Sequence, residues 1–173
     1  VILQTETGGT LIEGFYEQRA SYGTTVKTVM ITVFLLILAS YLFSVYGLFG
    51  FGTDPEEGRV LLIVLFILLF AIWSFFGMKF RLGSDSVVLF SAPFTYRIPF
   101  SEISSVGLME EIPWYTGWGL RIHGRKLLFV GKHGRAVFIT KETGFFRAIV
   151  FVPENPDEFL RRIEIARAQF LKR

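Results

Sequence analysis

Val26 to Phe49 reads VKTVMITVFLLILASYLFSVYGLF, and Val60 to Met78 reads VLLIVLFILLFAIWSFFGM. No charged residue lies between Lys27 and Asp54, and none between Arg59 and Lys79. At 1.5 Å per residue the two runs reach roughly 36 Å and roughly 28 Å as helices, against a hydrocarbon core of ~30 Å. As soluble helices they would need burial on every side, and a 173-residue chain leaves too little mass to bury them. The first run is longer than the ~7–15 residue apolar region of a signal peptide and is preceded by a further segment. The reading is a transmembrane hairpin, with helices over 26–49 and 60–77 and a short acidic external loop over 50–59.

Basic residues orient the hairpin. Arg19 and Lys27 precede the first helix and Lys79 and Arg81 follow the second, whereas the connector carries Asp54, Glu56 and Glu57 against Arg59. The positive-inside rule then predicts a multi-pass cell-membrane protein with both termini cytoplasmic. The first 77 residues hold three Lys and Arg and six Asp and Glu; the remainder holds fifteen and nine. A cationic cytoplasmic part facing an anionic leaflet is one route to lipid binding.

The two runs explain a composition that is 51% hydrophobic and only 19% charged. Cysteine is absent, which excludes disulfides, thiol catalysis and cysteine-held zinc or iron–sulfur sites. No Asp, Glu, Lys, Arg or His lies within the uncharged runs, so a transporter or pump acting through intramembrane charge is disfavoured. Ser40 and Ser44 on the first helix and Ala71, Ser74 and Gly77 on the second form small-residue stripes suited to helix packing, within the hairpin or between protomers.

Outside the hairpin the periodicity changes. Residues 1–25 form a cytoplasmic segment in which Gly8-Gly9 marks the turn of a β-hairpin that either pairs with the later domain or stays a tail. From residue 78 onward, short β runs alternate with turns. Strands are expected at Lys79–Leu82, Val87–Ser91, Thr95–Phe100, Val106–Glu110, Gly119–His123, Lys126–Gly131, Ala136–Lys141 and Phe146–Val152. Their spacing predicts an antiparallel barrel or sandwich of about seven strands. NPDEFLRRIEIARAQF ends the domain as an amphipathic helix: Asn155 caps it, Pro156 occupies the first turn, and Phe159, Ile163, Ala166 and Phe170 share a face.

The entering strand MKFRLGSDSVVLF, RIPFSEISSV (Arg97 to Val106), PWYTGWGLRI (Pro113 to Ile122) and the helix after PENPDEF resemble, in that order, the pleckstrin-homology-like domains of prokaryotic membrane proteins. The resemblance covers residues 78 to 170 and implies a bent antiparallel sheet closed at one end by the helix. Many eukaryotic relatives bind phosphoinositides through basic residues around the first two strands. Lys79 and Arg81 match that feature, but Gly83-Ser84-Asp85-Ser86 is acidic where positive charge is wanted.

No catalytic pattern survives inspection. Gly117 and Gly119 would begin G-x-G-x-x-G, but position 122 is Ile122. Gly131-Lys132 is followed by His133, which breaks a P-loop. His123 and His133 have no zinc-ligand spacing, and Glu110 and Glu111 point to opposite faces of a strand. Neither an enzyme nor a bound cofactor or metal is expected. Cations scattered over separate strands, with a membrane tether, also speak against nucleic acid.

The expected function is therefore a membrane-anchored interaction or scaffold module that docks a membrane protein partner or forms a homo-oligomer. The alternative is an anionic-lipid-binding domain, with membrane lipids met by Lys79, Arg81, Arg121, Arg125, Lys126, Lys132 and Arg135 and by an aromatic interface of Trp114, Tyr115 and Trp118. A third reading is an oligomeric channel subunit using Thr28, Thr32, Ser40 and Ser44. Within PWYTGWGLRIHGRK, alternation along a central strand predicts Leu120 and Ile122 facing the core and Arg121 and His123 facing out.

Overall fold

The structure is a computed structural model and describes residues 3–4, 10–12, 15–46 and 55–172. The chain divides into two compact units, one made of residues 1–23 with 75–173 and the other of residues 24–74.

The second unit is helical. Helix α1 spans Thr24–Tyr46, and α2, Pro55–Phe76, runs through that unit into the first. Both are long and apolar enough to cross a membrane, over Thr24–Tyr46 and Gly58–Phe76. Almost none of either apolar stretch is buried, and side chains such as Leu35, Leu36, Phe66, Ile67 and Trp73 are exposed. A soluble core helix would be covered. Residues 47–49 of the expected first span lie outside the described residues, as do residues 50–54 of the connector, whose remainder is the first part of α2.

The first unit is β-rich. Its strands are β1 (Leu3–Gln4), β2 (Thr10–Ile12), β3 (Phe15–Arg19), β4 (Lys79–Leu82), β5 (Ser86–Ser91), β6 (Phe94–Pro99), β7 (Ile103–Met109), β8 (Gly119–His123), β9 (Lys126–Val130), β10 (Ala136–Lys141) and β11 (Ala148–Phe151). They form two open sheets, in the orders β1-β2-β3-β4-β5-β6 and β7-β10-β11-β9-β8, rather than a closed barrel. β1 and β2 pair antiparallel, Leu3 opposite Leu11, while the Gly8-Gly9 turn lies outside the described residues.

Helix α3, Pro156–Phe170, packs against β7 and β10 of the second sheet and meets Tyr16 of the first through Phe159. The Asn155 side chain accepts a hydrogen bond from the Glu158 N–H at 3.2 Å, and Pro156 follows the cap, as the sequence predicts. Phe159 and Ile163 are fully buried, and Phe170 stacks edge-on to Phe100 with centroids 5.8 Å apart. Phe80 from the first sheet meets Phe129 and Phe151 from the second, and Phe151 meets Phe159. This aromatic contact is the centre of the core.

Two sequence expectations are corrected here. β9 and β11 pair in parallel, Leu128 opposite Val150, so the domain is not wholly antiparallel. The physical reason is visible in KLLFV and AIVF: both strands are apolar at successive positions, the pattern of strands covered on both faces. Leu127 and Phe129 face the inter-sheet core, while Leu128, Val130, Val150 and Val152 form a second cluster with Ala136 and Ile112. Secondly, β8 is an edge strand rather than a central one, and Ile122 is 65% exposed. Alternation gives a strand's two faces, but only the sheet order says whether a face is covered.

β3 carries the main architectural result. It pairs antiparallel with β4, Arg19 opposite Lys79 and Tyr16 opposite Leu82, although the two strands are separated in the chain by both helices. Beyond β3, the Ser21 N–H donates to the Val152 carbonyl (3.0 Å) and the Glu154 N–H to the Arg19 carbonyl (3.1 Å). The segment before α1 thus joins the first sheet to the connection between β11 and α3. Gly131 makes that closure possible, since a Cβ there would lie on the Ser21 carbonyl oxygen.

Candidate functional site

The seven cations singled out in the sequence do not form one surface. Glu17, on β3, is buried and receives both Lys79, at 3.3 Å, and Arg81, whose Nε donates to its carboxylate. Burial acts to raise the Glu17 carboxyl pKa, but the hydrogen bonds and charges of Arg81 and Lys79 outweigh it, holding the group below its ordinary value. These two cations serve to neutralise a buried carboxylate. Nothing in their own strand indicated this, because the carboxylate comes from the other side of the helix pair.

Arg135 makes a two-pronged pair with Asp157 in the first turn of α3, at 2.7 and 2.9 Å. Arg121 Nε donates to the Trp118 carbonyl at 3.0 Å, folding its guanidinium over Gly117. Arg125 Nε donates to the Phe145 carbonyl at 3.4 Å. Lys126 and Lys132 lie just inside and just beyond the two ends of β9, separated by roughly 20 Å at strand rise.

The aromatic trio also divides. Trp118 packs against the outer cluster with Met109 and Phe138, its ring 5.8 Å from His133, while Ile112 is buried in the same cluster. The segment between β7 and β8 is thus laid across the outer face of the second sheet. Trp114 is 82% exposed, and the Tyr115 side chain lies outside the described residues. Gly119 has φ 93°, a left-handed conformation that needs glycine, as the turn into β8 requires.

At the far end of the β8–β9 hairpin, the Arg125 carbonyl accepts from the Arg147 N–H at 2.8 Å. The β8–β9 turn and the loop before β11 are therefore adjacent. Phe145 on that loop is 70% exposed, and Phe146 beneath it stacks on Tyr96 with centroids 5.7 Å apart. Ile122, His123, Arg125, Lys126, Phe145 and Arg147 make this tip cationic and partly apolar. Among the described residues, no strand pairs with the outer edge of β8.

A polar clamp, not signalled by any motif, lies between the sheets. Lys141, with its side chain 4% exposed, reaches Glu102 at 2.6 Å and the Tyr96 hydroxyl at 3.2 Å. Burial works against its charge, but Glu102 and Tyr96 prevail and raise its pKa. On β6, Arg97 pairs with Asp85 at 2.6 Å, so the acidic loop after β4 is neutralised internally.

Of the helix-packing residues, Ser40 is exposed with its hydroxyl returned to the Leu36 carbonyl at 2.9 Å, Ala71 is exposed, Ser44 is buried, and Ser74 and Gly77 are half-buried. Thr28 and Thr32 are exposed. Among the described residues, no group of three or more His, Asp or Glu could hold a metal ion.

The chain therefore consists of two apolar helices and a two-sheet β domain with a C-terminal helix. No protein-family model matches its sequence, and no curated protein matches it.

Proposed function

We propose that the chain is a non-enzymatic, membrane-anchored interaction module. In this reading α1 and α2 cross the bilayer as a hairpin and hold a PH-like β domain at the cytoplasmic face. There the β8 edge docks an extended, acidic segment of a partner protein.

The observation that carries the anchoring is the β3–β4 pairing. One strand precedes α1 and the other follows α2, so both ends of the hairpin must emerge on the same side of any membrane it crosses. The exposed apolar side chains of both helices support the crossing, since each large one left in water forgoes about 1.5–3 kcal/mol of burial. Arg19, Lys27, Lys79 and Arg81 at the two ends support the cytoplasmic side. The PH-like assignment draws support from an antiparallel meander, a second sheet and a closing helix in that order, with the parallel β9–β11 pair as a departure.

Docking draws on β8. Its outer backbone edge offers hydrogen bonds to an added strand, with Ile122 as an apolar contact and Arg121, Arg125 and Lys126 as complements to negative charge. A second copy adding through the same edge would bring these cations together. Anionic-lipid binding by the seven cations has less support: Lys79, Arg81 and Arg135 are paired with carboxylates, and the seven do not share one surface.

The test is a photo-crosslinking residue at position 122 of the full chain in native membranes, compared with one at Phe94, exposed on the edge strand β6 of the other sheet. A discrete adduct at 122 that disappears with Arg121→Glu and Lys126→Glu, and is absent at 94, is expected. Equal labelling at both positions, or an adduct indifferent to the charge reversals, overturns the docking role.

A further inference from the structure

Trp114 is far more exposed than Ile112 and Trp118 of the same segment. Ile112 and Trp118 on either side of it are turned into the outer cluster of the second sheet, while Trp114 is 82% exposed. It lies on a fixed turn: the Thr116 N–H donates to the Pro113 carbonyl at 3.0 Å, the Gly117 N–H to the Trp114 carbonyl at 3.3 Å, and the Thr116 hydroxyl to the Pro113 carbonyl at 2.7 Å. A turn of this kind requires no indole at that position, and an exposed one is costly in water.

The position of the turn gives it a use. A Cβ on Gly119 would lie 3.6 Å from the Phe75 ring, Gly131 lies against Ser21 and Tyr22, and the Lys132 Cβ is 3.7 Å from where a Gly23 Cβ would be. Tyr22 stacks on Phe75 and Phe76 and its hydroxyl donates to the Phe75 carbonyl at 2.6 Å. Phe75 and Phe76 end α2, and Gly23 immediately precedes α1. Both points where the chain leaves the β domain for the apolar helices therefore lie beside the Gly119–Gly131 end of the β8–β9 hairpin. A turn brings Trp114 back to Gly117, and two more residues lead to Gly119, placing the Trp114 backbone within about 14 Å of Gly119.

The apolar run Gly58–Phe76 spans roughly 28 Å, close to the ~30 Å hydrocarbon core, so its end falls at the boundary of the headgroup layer. That layer is where indoles are enriched, with an apolar ring and a polar N–H each finding its solvent.

We infer that the Trp114 turn is an interfacial anchor: it seats in the lipid headgroup layer beside the exits of α1 and α2 and fixes the orientation of the β domain on the membrane. The inference rests on the membrane reading of the two helices. Its ligand is the headgroup and upper acyl layer whatever its charge, because the recognising group is an indole rather than a cation cluster. The opposite end of the hairpin, with Gly124 and Arg125, lies about 16 Å further along the strands.

The experiment uses the full chain reconstituted in zwitterionic vesicles containing phosphatidylcholine brominated either near the headgroup or near the acyl-chain end. Trp73→Phe leaves Trp114 and Trp118, and Trp73→Phe with Trp114→Phe leaves Trp118 alone; the difference isolates Trp114 without disturbing the buried cluster. Trp73, inside α2, is the internal reference, obtained from the difference between the wild type and Trp73→Phe. Quenching of Trp114 by the shallow bromolipid, roughly twofold stronger than by the deep one, is expected. Trp114 emission indifferent to both lipids but quenched by aqueous acrylamide, with Trp73 still quenched by lipid, overturns the anchor and leaves the membrane reading standing. Indifference of Trp73 to lipid overturns the membrane reading, and the anchor with it.

Discussion

The Gln18 side-chain oxygen accepts a hydrogen bond from the Asn155 backbone N–H at 3.0 Å, joining the strand before the first apolar helix to the cap of the last helix of the chain. Gln18 is almost completely buried, and its amide nitrogen donates to the Tyr16 hydroxyl. Tyr16 in turn lies under the Arg162 guanidinium, 4.0 Å from its ring centroid, and beside Phe159. Residues at opposite ends of the sequence thus share one buried polar network.

Gln18→Leu removes both hydrogen bonds and puts an apolar side chain of similar bulk in place of the amide. It leaves the Asn155 N–H without its acceptor, so a loss of about 1–3 kcal/mol is expected. Chemical denaturation of the detergent-solubilised chain, followed by near-ultraviolet circular dichroism, measures it. Stability within a few tenths of a kcal/mol of wild type would mean the network is not formed.

The β domain should require its amino-terminal strand. Residues 78–173 alone lack β3, which covers β4 and ties the first sheet to residues 152–154. They are expected to behave as an aggregation-prone, poorly protected chain. A version in which residues 24–74 are replaced by a short Gly/Ser linker should fold and remain soluble, because the Ala20 N–H already donates to the Met78 carbonyl at 3.1 Å and the ends are close. Hydrogen exchange distinguishes the outcomes: strong protection of β4 and β5 in 78–173 alone would refute the requirement.

Acid should act through Glu17. Its pKa is depressed in the folded state, so its contribution is present above the unfolded carboxylate pKa and is lost as pH falls through the lower folded value. Stability is expected to decline from about pH 5 downward. Glu17→Gln removes that carboxylate's share of the slope and costs about 1 kcal/mol at neutral pH, a modest amount because Lys79 and Arg81 can turn to water. Denaturation midpoints at several pH values give the comparison; an acid slope identical in the variant would reject Glu17 as a contributor.

Lys141 gives the opposite sign. Its folded pKa is raised, so its contribution is fully present below the unfolded lysine pKa and disappears as pH climbs through the higher folded value. Glu102→Gln leaves a buried ammonium with the Tyr96 hydroxyl and without a countercharge. A loss of about 1–3 kcal/mol and an alkaline decline moved to lower pH are expected, with Tyr96→Phe showing a smaller loss. Both follow from unfolding curves across the alkaline range, and an unchanged Glu102→Gln protein would remove the clamp from the account.

What was legible in the sequence was local. Uncharged runs of sufficient length marked both apolar helices, alternation between turns located β4 to β11 closely, and Asn155-Pro156 announced α3 at the observed residue. These signals depend on a residue and its near neighbours, so no knowledge of the fold was needed to read them. Tertiary structure alone decided the rest. That β3 pairs with β4 across some sixty residues, that β9 runs parallel to β11, and that β8 is an edge are properties of sheet order, which periodicity does not encode. The candidate site changed for the same reason: Lys79 and Arg81 read as free cations until a distant strand supplied Glu17, and Trp114 and Trp118 read alike until Trp118 was packed against the outer cluster and Trp114 left exposed. A side chain's type is written in the sequence, but its charge balance and its solvent are set by what the fold brings to it.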